Sequence, residues 1–299
     1  MTNLLQVDNL TKKYINNHVV DAVSFELEEH TATALIGPNG AGKTTTLSML
    51  AGLVSPTSGS IQFQGAAKQD IRSIIGFLPQ YPKFFPWLSA LEFTEMAARL
   101  SGVETKQARI EAKKTLEFVG LGEAMNKKTG TFSGGMKQRL GLAQAIVHKP
   151  KLLLLDEPVS ALDPVGRRQV MDLLKDLQRK TTILYSTHIL NDAEEMTDQL
   201  LFLRHGKLVE HGSLDEVRAR YAEPRIVIEF EGMQELQRFM EATAWQVTSK
   251  GLVVSIDVRL EEAEMSSVLS MLTAGKFLVR KVELQTASLE DIFMKVAVV

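Results

Sequence analysis

The 299-residue sequence predicts an α/β fold with a parallel core and a helical insertion, followed by a small α+β domain. Three observations carry this. TATALIG (31–37) runs as a strand into GPNGAGKT (37–44) and out into KTTTLSMLAGL (43–53), whose Leu47, Leu50 and Leu53 recur at helical spacing. KLLLLDE, TTILYST and QLLFLRHGKLVEHG restore strand character after residue 149, with the charged helical segment VGRRQVMDLLKDLQRK between the first two, as in a parallel core. Beyond Pro224 the order reads strand, helix, strand, strand, helix, strand, a βαββαβ or ferredoxin-like module.

The remaining elements follow from local pattern. LLQVDNLTKKY and HVVDAVSFELEE alternate apolar and polar residues around polar turns, which predicts an antiparallel β subdomain at the start. From Pro82 to Lys149 the pattern turns helical, with SALEFTEMAARLSG and KQARIEAKKTLEFVGLG as the clearest helices. Each ends near a glycine suited to a left-handed cap. A helical subdomain over about 82–149 is thus expected inside a first domain of 1–222. The C-terminal domain, 223–299, is expected to be regulatory or dimerising. Its strands are placed at 225–231, 245–249, 252–258 and 277–285, its helices at 233–243 and 260–274, and a last helix in SLEDIFMKV.

Charge and cysteine content narrow the functional class. A formal net charge of -2 provides no overall basic field, which argues against nucleic acid as a partner. The absence of cysteine excludes disulfides, thiolate metal sites and a cysteine nucleophile. MTNLLQVDNLTKKY lacks the charged start, apolar run and small-residue cleavage site of a secretory signal. The most apolar stretch, IIGFLPQYPKFFPWLSAL (74–91), is broken by Pro79, Pro82, Lys83 and Pro86, so it falls short of the roughly 20 apolar residues that span a bilayer. Any membrane role requires a partner subunit.

GPNGAGKT satisfies the P-loop pattern in full, between a strand and a helix. Gly37, Pro38, Asn39, Gly40, Ala41, Gly42 and Thr45 are expected to form a phosphate cradle built on backbone amides and a helix start. Lys43 would neutralise the β- and γ-phosphates, and Thr44 would offer its hydroxyl to Mg²⁺. LLLLDEP reads as a doubly buried parallel strand ending in two carboxylates. Asp156 is expected to reach Mg²⁺, usually through water, and Glu157 to poise the attacking water. A solvated acidic turn is the bland alternative for these carboxylates, and the P-loop upstream makes it the lesser one. The two motifs together predict a P-loop nucleotide hydrolase.

FSGGMKQRL (132–140) resembles the signature motif of ATP-binding cassette (ABC) ATPases. SALDP (160–164) resembles their D-loop, LPQY at Gln80 their Q-loop, and YSTH at His188 their switch histidine, all in the family's order. The resemblance implies the P-loop ABC ATPase fold: antiparallel β subdomain, RecA-like parallel core and helical subdomain. It also implies ATP hydrolysis, with Gln80 touching the metal or water, His188 near the γ-phosphate and Glu157, Tyr14 stacked on adenine, and Asp163 in the D-loop at the nucleotide. Ser133, Gly134 and Gly135 are implied to meet the γ-phosphate held by the P-loop of a second copy, in a head-to-tail dimer. Phe132 and Met136 stand where the family most often has Leu and Gln; neither supplies a phosphate ligand, so binding is expected to survive. His18, His30, His148, His205 and His211 lack partners at ligand spacing and are expected at the surface, with no metal besides Mg²⁺.

Two segments speak to partners. YPKFFPWLSALEF sets Phe84, Phe85, Trp87 and Leu88 among prolines directly after Gln80. In the family this neighbourhood receives the coupling helix of a membrane subunit. SLEDIFMKV resembles the LEDxF ending of ATPases of ABC-2-type exporters, with Leu289, Ile292, Phe293 and Val296 as its apolar face. The expectation is the ATP-hydrolysing subunit of an exporter, peripheral on the cytoplasmic side of the cell membrane and joined to an integral membrane permease. An importer ATPase with a regulatory C-terminal domain is the first alternative. A soluble cassette ATPase acting on nucleic acid or the ribosome ranks lower, because one P-loop, no cysteine and no heptad run are present.

Overall fold

The structure, a computed structural model, describes residues 3–15, 17–64, 71–160, 162–221, 224–285 and 288–298. It forms two compact units, Met1–Leu214 and Asp215–Val299. The expected boundary at 222/223 lies outside the described residues, and the division between the units falls upstream of it.

In chain order the first unit holds β1 (Asn3–Tyr14), β2 (Asn17–Glu28), β3 (Ala32–Ile36), α1 (Lys43–Leu50), β4 (Ser58–Phe63), β5 (Ile75–Leu78), α2 (Ala90–Leu100), α3 (Thr105–Phe118), α4 (Gly134–Ile146), β6 (Leu152–Asp156), α5 (Pro164–Gln178), β7 (Thr182–Thr187), α6 (Leu190–Met196), β8 (Gln199–Arg204) and β9 (Lys207–Ser213). As the alternation predicts, β1 and β2 pair antiparallel; β4 joins the other side of β1. The larger sheet has the order β5-β6-β7-β3-β8-β9, parallel except for β9. Every residue of β3, β6 and β7 is buried, as expected of strands covered on both faces. Leu5, Val7, Leu10 and Val23 of the small sheet share one apolar core with Leu35, Leu154 and Leu184 of the large sheet and with Leu47 and Leu50 of α1.

Helices α2, α3 and α4 fill the interval between β5 and β6. Ser89 and Glu92 close a capping box on α2, each side chain taking the other's backbone N–H. Gly102 and Gly120, just past α2 and α3, adopt φ values of 87° and 71°, the left-handed region that ends a helix.

Parallel strands have their carboxyl ends on one edge, and here the register makes those ends level. Ile36 pairs with Thr187, Leu78 with Leu155, and Asp156 with Ser186. The P-loop, Gln80, Glu157 and His188 each follow one of these strands. Four segments distant in sequence therefore meet where ligands of open α/β sheets bind.

The second unit begins in α7 (Leu214–Tyr221) and continues through β10 (Arg225–Phe230), α8 (Met233–Ala242), β11 (Val247–Lys250), β12 (Val253–Asp257), α9 (Met265–Ala274), β13 (Val279–Gln285) and α10 (Leu289–Val298). Its sheet is antiparallel, in the order β11-β12-β10-β13, which realises the expected βαββαβ module. Ile226, Ile228 and Phe230 alternate into a core with Phe239, Val254, Ile256 and Val268. One element departs from expectation. Helix α9 starts at Met265 instead of 260, because Asp257 Oδ1 accepts the N–H groups of Arg259 and Leu260 in a turn and Glu262 sits at φ 47°.

Candidate functional site: a P-loop cleft

The loop after β3 enters α1 through Gly42, whose φ of 103° and position beside Val19 leave no room for a side chain: a Cβ there would lie 2.5 Å from the Val19 carbonyl oxygen. Helix α1 has no side-chain N-cap, so the amides at its start depend on other acceptors. Lys43 is buried and curls back over the loop, its Nζ donating to the carbonyls of Gly37 at 2.7 Å and Pro38 at 3.1 Å. Burial lowers its pKa from the ordinary 10.5, while the Glu157 and Asp156 carboxylates pull in the opposite direction. An ammonium held by carbonyls beside an open helix start is suited to an anion.

Residues 39–45 line a cleft of about 350 Å³ together with Val19, Gln80 and Glu157. Asn39, Gly40, Ala41, Gly42, Lys43, Thr44, Thr45, Gln80 and Glu157 are thus brought together. Gln80 Nε2 donates to Glu157 Oε2 at 3.0 Å, and His188 Nδ1 lies 3.1 Å from Glu157 Oε1. Because a carboxylate only accepts, Nδ1 is the protonated nitrogen in that contact. Asp156 is buried beneath this group, its Oδ1 accepting from the Ser186 hydroxyl at 2.6 Å.

Glu157 adopts φ 48°, a left-handed conformation uncommon outside glycine. The strand ends at Asp156, and this reversal separates the two carboxylates: Asp156 stays in the sheet while Glu157 turns to Gln80 and His188. Ser186 joins them, since its Oγ also accepts the Glu157 N–H at 2.9 Å. Sequence reasoning did not select Ser186. A serine inside an apolar strand carries no signal until strand register sets it beside Asp156.

Other predicted residues stand apart from the cleft. Ser133 caps α4, accepting the Met136 N–H at 3.3 Å, and is exposed with Gly134. A Cβ on Gly134 would meet nothing within 4 Å. Met136 contributes only its backbone to the cap, so its departure from the family pattern leaves that geometry unaffected. Asp163 caps α5, accepting the Gly166 N–H at 2.9 Å ahead of Pro164, and is also exposed. Tyr14, 48% exposed at the end of β1, does not line the cleft, and Lys12 Nζ lies 5.0 Å from its ring centre.

His148 corrects the expectation of a surface histidine. It is half-buried, and Nε2 donates to the Ile75 carbonyl at 3.0 Å. Desolvation lowers its pKa, which keeps the ring neutral. Of the aromatic segment, Phe84 packs edge-on to Phe93 with ring centres 5.0 Å apart, whereas Phe85 and Trp87 are exposed.

Known proteins share this architecture. The family profile described as ABC transporter matches residues 20–160, and that of the ATP-binding protein DrrA1-3-like C-terminal domain matches residues 212–297. The uncharacterized ABC transporter ATP-binding protein YxlF of Bacillus subtilis (strain 168) is 43% identical over 298 residues, covering 98% of this chain and 99% of its own. The bacitracin transport ATP-binding protein BcrA of Bacillus licheniformis is 33% identical over 304 residues, covering 99% and 97%. Among solved structures, the dimeric ATP-binding cassette MJ0796, in a post-hydrolysis state bound to ADP and Pi, superposes with a TM-score of 0.64 at 27% identity over 71% of this chain and 99% of that one. These likenesses extend over the P-loop unit and the C-terminal unit alike, and the chain belongs to the ABC transporter ATP-binding proteins, a family of ATPases.

Proposed function

We propose that the chain is the ATP-hydrolysing subunit of an ABC-2-type exporter, acting in a two-fold pair of ATP-binding subunits beneath a separate membrane-spanning permease. The observation that carries the hydrolytic reading is the placement of Glu157 in the lining of the P-loop cleft, bonded to Gln80 and His188. A carboxylate has about four lone-pair sites, so Glu157 can accept a proton from an attacking water while keeping both partners. Lys43 and the loop amides bind the phosphates. Exposed Tyr14 offers a ring face for adenine.

Thr44, Gln80 and Asp156 provide the oxygen donors that suit Mg²⁺, a hard cation usually held by one or two carboxylates together with substrate phosphates. Mg²⁺ would neutralise charge on the β- and γ-phosphate oxygens.

Exposed Ser133, Gly134 and Asp163 and half-buried Gly135 do not line this chain's cleft, which supports their acting on ATP held by the second subunit. No helix among the described residues is long and apolar enough to cross a membrane. In this reading transport runs through a permease that exposed Phe85 and Trp87 are suited to dock, with the chain on the cytoplasmic side. The DrrA-like C-terminal match and the similarity to a bacitracin transport protein support the exporter reading, with the C-terminal unit as a regulatory or dimerisation domain.

The test is Mg²⁺-dependent ATP hydrolysis by the purified chain and by Glu157→Gln. The variant should bind ATP as the parent does and turn over about 10²- to 10³-fold more slowly. Near-normal turnover would refute the role given to Glu157. Recovery from membranes with a protein of several spans tests the transporter assignment; recovery with ribosomes or DNA alone would overturn it.

A further inference from the structure

We infer that Ser186 is a positioning residue of the hydrolytic centre, holding Glu157 in its working conformation through one bridging hydroxyl. The inference rests on the role proposed above for Glu157. Ser186 is fully buried in β7, level with Asp156 on the neighbouring strand. Its hydroxyl has one donor and two acceptor sites. The donor goes to Asp156 Oδ1 at 2.6 Å, and an acceptor takes the Glu157 N–H at 2.9 Å.

One contact falls on the Asp156 carboxylate and the other on the Glu157 N–H, where the chain leaves the sheet. Glu157 at φ 48° has abandoned the ladder, and a left-handed non-glycine residue persists only where its surroundings hold it there. The Ser186 hydroxyl gives that amide its partner and ties it to the carboxylate immediately before it. Ser186 also lies two residues before His188, the other neighbour of Glu157. One strand end therefore sets both the backbone and the carboxylate of Glu157. Loss of the hydroxyl would release the turn while leaving the P-loop, which binds the phosphates, untouched.

The experiment measures kcat, KM, equilibrium ATP affinity and Tm for the full chain carrying Ser186→Ala, Ser186→Cys or Ser186→Thr. Displacement of a catalytic group by about 1 Å can cost about 10²-fold, so Ser186→Ala should lower kcat by about 10- to 100-fold with KM and ATP affinity within about twofold. Ser186→Thr, which keeps the hydroxyl on a β-branched strand residue, should recover most of the loss. In a Glu157→Gln background, Ser186→Ala should cost about nothing further, because it acts through Glu157. If Ser186→Ala does not fold, Ser186→Cys carries the same comparison. A kcat within about twofold of the parent, or a loss that persists undiminished in the Glu157→Gln background, overturns the proposal. Normal turnover of Glu157→Gln by itself would instead defeat the reading on which it rests.

Discussion

His188 Nδ1 stands 3.1 Å from Glu157 Oε1, joining the end of β7 to the residue that follows β6. The carboxylate is largely shielded, 11% exposed, and the imidazole is 50% exposed. His188→Ala is expected to lower turnover by about 10²-fold, since Glu157 would lose one of its two orienting contacts. ATP affinity, measured by equilibrium titration, should stay within about twofold. Equal loss of binding and turnover would show that His188 acts on the bound nucleotide rather than through Glu157.

Lys43 behaves differently, because its ammonium is already held in the loop by the carbonyls of Gly37 and Pro38. A hydrogen bond to a charged group is worth about 1.5 to 3 kcal/mol, which corresponds to roughly 10- to 100-fold in affinity. Lys43→Ala should weaken ATP binding by that factor in the same titration. Unchanged affinity would remove Lys43 from the phosphate site.

Ser133→Arg separates the two nucleotide surfaces. Ser133 lies outside the cleft, so ATP binding to isolated monomers should be unchanged, while ATP-dependent dimerisation and hydrolysis are lost. The hydroxyl also caps α4, so Ser133→Ala is the control, costing about 1 kcal/mol of stability. Light scattering with ATP in a Glu157→Gln background reads the dimer directly. A dimer that survives Ser133→Arg would sink the shared-site arrangement.

His148 makes a pH prediction. Its pKa is depressed by burial, so above the ordinary value of 6.5 the folded and unfolded states are both neutral here. As pH falls below 6.5 the unfolded chain takes up the proton first, and stability is lost through the window down to the lowered folded pKa. His148→Asn can still donate to the Ile75 carbonyl and does not titrate. Denaturant midpoints at pH 7.5 and 5.5 should therefore differ less for the variant than for the parent; equal differences would refute this account.

The capping box on α2 offers a test of the helical insertion. Ser89→Ala removes the acceptor for the Glu92 N–H at a buried helix start. The expected loss is about 0.5 to 2 kcal/mol in denaturant unfolding, with ATP affinity unaffected. A change in ATP affinity would mean that α2 and the cleft are coupled.

The sequence made the P-loop, Asp156, Glu157, Gln80 and His188 legible because each occupies a stretch with fixed order and a strong local pattern. The α/β core and the C-terminal βαββαβ module were legible for a similar reason, since alternation and helical spacing are local properties. His148 and Ser186 were not. Whether a histidine after α4 is buried depends on the Ile75 strand beside it, and Ser186 matters only through a neighbour on another strand.

By itself, then, the sequence determined which chemical groups this protein carries and the elements that hold them: a phosphate loop, two adjacent carboxylates, an amide, an imidazole and a second glycine-rich helix start. Only the tertiary structure decided their company. The level ends of parallel strands bring Gln80 and Glu157 to the P-loop cleft and His188 to Glu157, whereas Ser133, Gly134 and Asp163 do not line that cleft. The left-handed turn of Glu157 also belongs to that level, because a bridge from Ser186 on the adjacent strand holds its amide. Pairing across strands is set by hydrogen bonds between residues far apart in the chain, and no local sequence pattern encodes it.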